Sequence, residues 1–208
     1  MFSSSPSKAP DDPGAFGMLG PDQQRILKGT MYWVGARIAQ ERRSAADWNM
    51  SLLHEIHREL FDGLFPKQAA QIRQVEVTFP GHDIPVPAKI QYRLNDLITD
   101  AQDIIRQGSS IDDKAERIQA ILPRIARFHA HCIMIQPFID GNKRRARQFL
   151  SALMVDCDFP PGVRIGVDER LRYLESIDKS AVGNHDQLAE IILEGWMQLE
   201  RDFSSGAD

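Results

Sequence analysis

The sequence predicts a mainly α domain that carries a single β-hairpin, and three observations point there. Over most of the 208 residues, apolar side chains recur at the three-and-four spacing of a helix. Only residues 74–87 alternate with the two-residue period of a strand. Between the two patterns, Gln136-Pro137-Phe138-Ile139-Asp140-Gly141-Asn142-Lys143-Arg144-Arg145-Ala146-Arg147 reads as a tight polar loop feeding a helix. Ile133, Met134 and Ile135 precede it, and Phe149, Leu150, Leu153 and Met154 follow at helical spacing.

Residues 1–19, rich in Ser, Pro, Asp and Gly, read as a tail, residues 20–203 as one domain, and residues 204–208 as a second tail. A first helix is predicted from Pro21 to Arg43, with Ile26, Leu27, Met31, Val34 and Ile38 as its stripe. A second covers 45–62 and turns Trp48, Leu52, Leu53, Ile56 and Leu60 inward. His54 and His57 are three apart on it, but no third ligand sits nearby, so they read as surface histidines. In 74–87, Val75, Val77 and Phe79 alternate with polar residues, 80–83 is a turn, and Ile84 with Val86 makes a return strand. Pro85 and Pro87 confine that strand to an edge. Helices follow at 88–106 and 111–135, the latter begun by Ser109 or Ser110 and kinked or restarted by Pro123. The loop helix runs to Val155, and 158–162 end it; helices at 168–179 and 184–203 close the domain.

The formal net charge of −4 argues against a general nucleic-acid binder, although the cluster at 143–147 is basic. Cys132 and Cys157 lie in predicted helices without metal spacing and read as reduced core thiols of a cytoplasmic protein. No apolar run approaches a membrane span, and no signal-peptide core is visible. Delivery into another cell by a specialised secretion system leaves no such mark.

The loop itself has the chemistry of an anion site. Gly141 and Asn142 suit positive φ or close approach of the backbone to a ligand. A helix beginning just beyond them points free N–H groups and the positive dipole end into the loop. Arg144 and Arg147 share a helix face, and their planar forks match phosphate oxygens. Arg145 falls on another face and reads as a solvated or structural charge. Asp140 stands at the mouth, placed for a Mg²⁺ that bridges phosphates.

This window resembles the signature of the Fic (Fido-fold) family, His-Pro-Phe-x-(Asp/Glu)-Gly-Asn-Gly-Arg-x-x-Arg. Seven of its nine specified positions match: Pro137, Phe138, Asp140, Gly141, Asn142, Arg144 and Arg147. Gln136 stands where the family has its catalytic His, and Lys143 where it has a second Gly. Residues 64–73 also resemble the segment that precedes the family's flap. The resemblance covers about residues 50–200. It implies a Fic-type helical domain whose hairpin is a flap. Through Val75, Val77, Phe79 and Ile84, that flap docks an extended segment of a target protein by strand addition.

The resemblance further implies ATP as co-substrate, with Gly141 and Asn142 as anion hole and Lys143, Arg144 and Arg147 around the phosphates. Mg²⁺ sits on Asp140, and AMP moves from ATP to a Ser, Thr or Tyr hydroxyl of the target. In the family the motif His is the general base, and Gln136 has no basic site near neutral pH. A positioned base is worth about 10²–10⁴ in rate. No other histidine substitutes by spacing. His131 points away, His129 is roughly 10 Å back along the helix, and His82 approaches only from the flap. The Doc branch of the family also carries Asn-Lys-Arg at these positions and resembles a kinase that binds its nucleotide in reverse. Many members carry an inhibitory helix, (Ser/Thr)-x-x-x-Glu-(Gly/Asn). Here Ser51 to Glu55 has the spacing but Ile56 follows, so either a separate partner chain inhibits or no inhibition is required. Three readings follow: a slow or altered nucleotidyl- or phosphotransferase, a pseudoenzyme that binds nucleotide or target without turnover, and a helical scaffold. The anion site disfavours the scaffold.

Overall fold

Helix α4 (Lys114–Ile135) is the element against which the others are laid, in a computed structural model that describes residues 19–78, 82–162 and 169–205. It packs on α3 (Pro87–Ser109), α5 (Asn142–Asp156), α6 (Arg170–Ala181) and α7 (Asp186–Ser205). Such a position demands apolar side chains nearly all round. Ile121, Ile125, Phe128 and Cys132 are fully buried, and Leu122, Ile133 and Ile135 nearly so. The cap is Asp113, whose carboxylate accepts the Glu116 N–H at 2.8 Å, and not Ser109 or Ser110. Those two serines are the last residue and the C-cap of α3, which runs past its expected stop, with Gly108 in its last turn packed beside Cys157. Pro123 lies inside α4, which is continuous through it.

Helix α1 (Pro21–Gln40) opens with proline in its first turn and buries Leu27, Val34 and Ile38 against α2 (Met50–Phe61) and α5. Ile26, expected in the stripe, is about half exposed. The helix stops at Gln40, short of Arg43, because Arg43 turns inward: its N–H reaches Asp156 Oδ1 at 2.7 Å. A single 3₁₀ turn (Ala45–Asp47) leads to Asn49, whose side chain caps α2 by accepting the Leu52 N–H at 3.2 Å.

Trp48 ties these pieces together. Its ring is 1% exposed and meets Phe128 and Phe149 edge-on at 5.8 and 5.5 Å, while its Nε1–H donates to Asp156 Oδ2 at 2.8 Å. Burial holds the Asp156 carboxyl above the usual carboxylate range, against the hydrogen bonds from Arg43 and Trp48. Cys132 and Cys157 are buried free thiols, and burial lifts Cys157 to about 12. No helix among the described residues is long and apolar enough to cross a membrane.

The mainly α architecture is as the periodicity implies, and of the expected hairpin the described residues carry isolated bridges at Ile72 and His82. Residues 74–78 and 83–86 lie in no strand, and Phe79 with the first half of the predicted turn, 80–81, lies outside the described residues. Ile72 instead makes one antiparallel bridge with Phe138. Two physical causes are visible. Pro85 and Pro87 bring no N–H to a ladder, and the carbonyls of Val75 and Pro85 are both taken by the Arg73 guanidinium at 2.7 and 2.6 Å.

Replacing Trp48 separates packing from hydrogen bonding. Trp48→Ala is expected to cost about 3–5 kcal/mol in urea unfolding. Trp48→Phe, which keeps a ring but leaves Asp156 short of a donor, should cost about 1–3 kcal/mol.

Candidate functional site

Gln136 ends α4 in the left-handed region, at φ 42° and ψ 58°. A following proline already disfavours the right-handed helical region for the residue before it, so the helix must stop here. For a non-glycine this conformation still costs about 1–2 kcal/mol. The chain then passes through buried Pro137 and Phe138. The Asn142 carboxamide closes it into a ring: Oδ1 accepts the Phe138 N–H at 3.1 Å, and Nδ2 donates to the Phe138 carbonyl at 2.8 Å. Gly141, at φ 76°, is the N-cap of α5, a backbone geometry that glycine adopts without strain. The first intrahelical bond runs from Arg145 N–H to the Gly141 carbonyl at 2.9 Å, so the N–H groups before it have no helical acceptor. The start of α5 is thus an anion-binding geometry.

The predicted site residues fall around this loop as follows. Asp140 is half-buried, and its Oδ1 accepts the N–H of Gly141. Asn142 is buried, Lys143 is exposed on the first turn, and Arg144 is partly exposed beside it. Arg147 is exposed, with its guanidinium 5.9 Å over the ring of Tyr173 from α6. Val75 is exposed, while Val77 and Ile84 are half-buried on the two flap arms. Of the histidines weighed as substitutes, His129 is fully buried with Nε2 2.7 Å from the Tyr173 hydroxyl. His82 contacts Asp178 at 2.9 Å. His131 lines a groove of about 790 Å³ whose walls also include Ile84, Pro85, Met134 and Ile135, hence next to Gln136.

Two residues that support the loop, His57 and Arg73, were read differently or missed, and a third, Arg145, takes the structural one of its two expected roles. His57 is 3% exposed, not a surface histidine: its Nδ1 accepts the Ala70 N–H at 2.9 Å, so Nε2 carries the proton toward the Asp140 carbonyl at 3.2 Å. It stacks on Phe138 with centroids 3.7 Å apart. His54 is half-buried, with Nδ1 2.8 Å from the Ala70 carbonyl. The signal for His57 was present, because it falls in the stripe of Leu53, Ile56 and Leu60. Arg145 is fully buried, which makes it a structural charge: Nη2 donates to the Cys132 carbonyl at 3.0 Å, and its guanidinium stands 5.3 and 5.4 Å over Phe138 and Phe149. Burial lowers its pKa from the ordinary arginine range. Arg73, 2% exposed, reaches Gln136 O with its Nε at 2.7 Å.

No group of three or more His, Cys, Asp or Glu that would hold a metal on protein ligands alone occurs among the described residues. A single carboxylate at the mouth fits Mg²⁺, which takes one or two carboxylates and fills its shell with phosphate oxygens and water.

The model of the Fic/DOC family matches residues 47–154, just over half the chain. A protein adenylyltransferase fic-1 of Caenorhabditis elegans is 28% identical over 131 residues, covering 62% of this chain and 23% of that protein. A protein adenylyltransferase Fic of Nematostella vectensis is 27% identical over 138 residues, covering 66% and 29%. The chain therefore spans less than a third of the length of these relatives. Among solved structures, Fic-1 of C. elegans superposes with a TM-score of 0.63 at 21% identity, over 90% of this chain and 54% of that one. BepC, a VirB-translocated effector of Bartonella tribocorum with bound AMPPNP, gives 0.63 at 16%, over 87% and 90%. Both likenesses show the fold.

Burial pushes His57 and His129 each down to about 3, because the charged imidazolium loses its water. Between pH 6.5 and 3 the unfolded chain then binds more protons than the folded one, so stability falls as pH falls through that window. The expected slope is about 1.4 kcal/mol per pH unit for each histidine. Urea unfolding at pH 7, 6 and 5 should show it, with His57→Gln removing one histidine's share.

Proposed function

Since the chain belongs to the Fic/DOC family, we propose that it binds Mg–ATP at the start of α5 and serves AMP transfer to a target-protein hydroxyl. Loss of the motif base slows that transfer. The observation that carries the reading is the ring that Asn142 closes on Phe138: it holds the loop in an anion-binding shape that helix packing alone does not require. Backbone N–H groups at 142–144 and the side chains of Lys143 and Arg144 face the phosphates, with Arg147 on the same helix. Asp140 would hold Mg²⁺, which neutralises phosphate charge. In the transfer, the target oxygen forms a bond to the α-phosphorus, pyrophosphate leaves, and the hydroxyl proton passes to solvent water. The Gln136 carboxamide orients that hydroxyl by hydrogen bonding but cannot take its proton.

The names of the relatives support adenylyl transfer as the family chemistry, and the AMPPNP on the Bartonella protein supports an adenine nucleotide in the same fold. A target docks on the flap beside the groove, with Val75 exposed to meet it. Lys143, exposed where a glycine would let the nucleotide lie close, supports a second reading: a phosphotransferase with the nucleotide reversed.

Calorimetry with Mg–ATP tests binding first. Arg144→Ala should weaken it roughly ten- to a hundred-fold, the cost of a charge-assisted contact, about 1.5–3 kcal/mol. Arg145→Met keeps the buried volume and removes only a field acting from beneath the loop, so it should weaken affinity far less than Arg144→Ala does. Equal losses would mean that Arg145 acts on the nucleotide.

Transfer is read with ATP labelled at the α- or γ-phosphate against a cell lysate. Gln136→His should raise α-label incorporation about 10²–10⁴-fold. Incorporation of γ-label would favour the reversed nucleotide. Nucleotide bound with no transfer by either version would leave a binding module.

A further inference from the structure

Arg73 is buried, and among the described residues no carboxylate bonds its guanidinium, although the Glu76 charge acts on it. Its donors go to backbone carbonyls of three separate stretches: Nε to Gln136 at 2.7 Å, Nη1 to Val75 at 2.7 Å, and Nη2 to Pro85 at 2.6 Å. Its own N–H donates to the Pro137 carbonyl at 2.8 Å, next to the bridge between Ile72 and Phe138. This one side chain therefore ties both described flap arms, 74–78 and 83–86, to the loop at Gln136. The same side chain grips the residue that is held at positive φ.

We propose that Arg73 is a positioning residue that makes the flap and the motif loop one mechanical unit. It fixes Gln136 in the left-handed conformation and sets both flap arms against it. A polypeptide docked on the flap is thereby registered to position 136. The coupling stands on the geometry; its consequence for transfer rests on the function proposed above.

The shape of the guanidinium is what makes this coupling specific to arginine. A planar fork with donors in three directions reaches three carbonyls that diverge from one point, whereas an ammonium on a flexible stem is a compact charge that cannot span them. Burial makes the arrangement all-or-none. Losing any one carbonyl would leave a charged donor unsatisfied away from water, so the three stretches hold or release together. Gln136 supplies the opposing strain. A glutamine is disfavoured at its φ and ψ, and two consecutive carbonyls, Gln136 and Pro137, are gripped by the same residue.

Amide hydrogen exchange reads this directly on the full chain, for Arg73→Lys and for Arg73→Lys with Gln136→Gly. In Arg73→Lys, exchange should quicken about tenfold or more at 75–78, at 83–86 and at the Phe138 amide together, while α3 and α7 keep their rates. Adding Gln136→Gly should shrink the effect at Phe138, since glycine sits in the left-handed region without help. Response in the arms alone would overturn the proposal. So would wild-type behaviour of the lysine variant, and so would equal quickening across all helices, the mark of a residue that merely stabilises the fold. Mg–ATP calorimetry on the same variants separates this from the functional reading. Affinity is expected to change less than about threefold, because a tenfold rise in a rare opening leaves the loop closed nearly all the time. If even the unmodified chain binds no nucleotide, the proposed function falls and the exchange data still decide Arg73. If the unmodified chain binds and Arg73→Lys does not, Arg73 acts on the nucleotide pocket itself and the proposal is wrong.

Discussion

The Asn142 carboxamide exchanges hydrogen bonds with both backbone groups of Phe138, and the rest of the site depends on that ring. With Phe138 pinned at its backbone, its side chain is driven into the core, where His57 stacks on it and Arg145 stands over it. With Asn142 pinned, α5 has a fixed first residue, and Gly141 must turn through positive φ to reach it. The start of the helix is therefore aimed before any ligand arrives, so binding there need not bear the cost of ordering the loop. Asparagine suits this position because its short amide both donates and accepts, and no apolar residue could close the ring.

Beneath the loop, one buried group is neutral and one charged. Desolvation keeps His57 neutral, which suits a ring that accepts from Ala70 and donates to the Asp140 carbonyl. Arg145 is the opposite case, a guanidinium buried with hydrogen bonds to Cys132 only, while its Nε and Nη1 make none. Leaving donors unsatisfied in the core is costly. Two aromatic faces recover part of that cost through their quadrupoles. The remainder is a fixed positive charge under the first turn of α5, in a region of low dielectric where its field extends further than it would in water. Such a field adds to the helix dipole in favouring an anion above the loop.

Much of this was legible in the sequence because it is local. Helices announce themselves through the periodicity of Leu53, Ile56 and Leu60 or Ile121, Ile125 and Phe128, and the loop through Gly141 and Asn142. Helix ends were less legible, since several side chains can cap. Ser109, Ser110 and Asp113 all qualify; the first two end α3, and Asp113 caps α4. What could not be read was held by contacts distant in the chain. The bond from His57 to Asp140 spans 83 positions and that from Arg73 to Gln136 spans 63. The alternation of 74–87 was real, but Arg73 occupies the carbonyls that a ladder would have used.

Position 136 combines two kinds of departure, and the backbone one bears on the side chain. If the chain needed only to leave α4 before Pro137, glycine or asparagine would adopt φ 42° at little cost. Glutamine carries the strain, and Arg73 together with the bridge at Phe138 over-determines it. Strain that is held in place by buried hydrogen bonds keeps a side chain aimed. The same bonds would hold the backbone under a histidine, so at position 136 the difference from the family motif lies in the terminal group alone. A carboxamide in that orientation still donates and accepts, so position 136 is suited to recognising a hydroxyl even where it cannot deprotonate one.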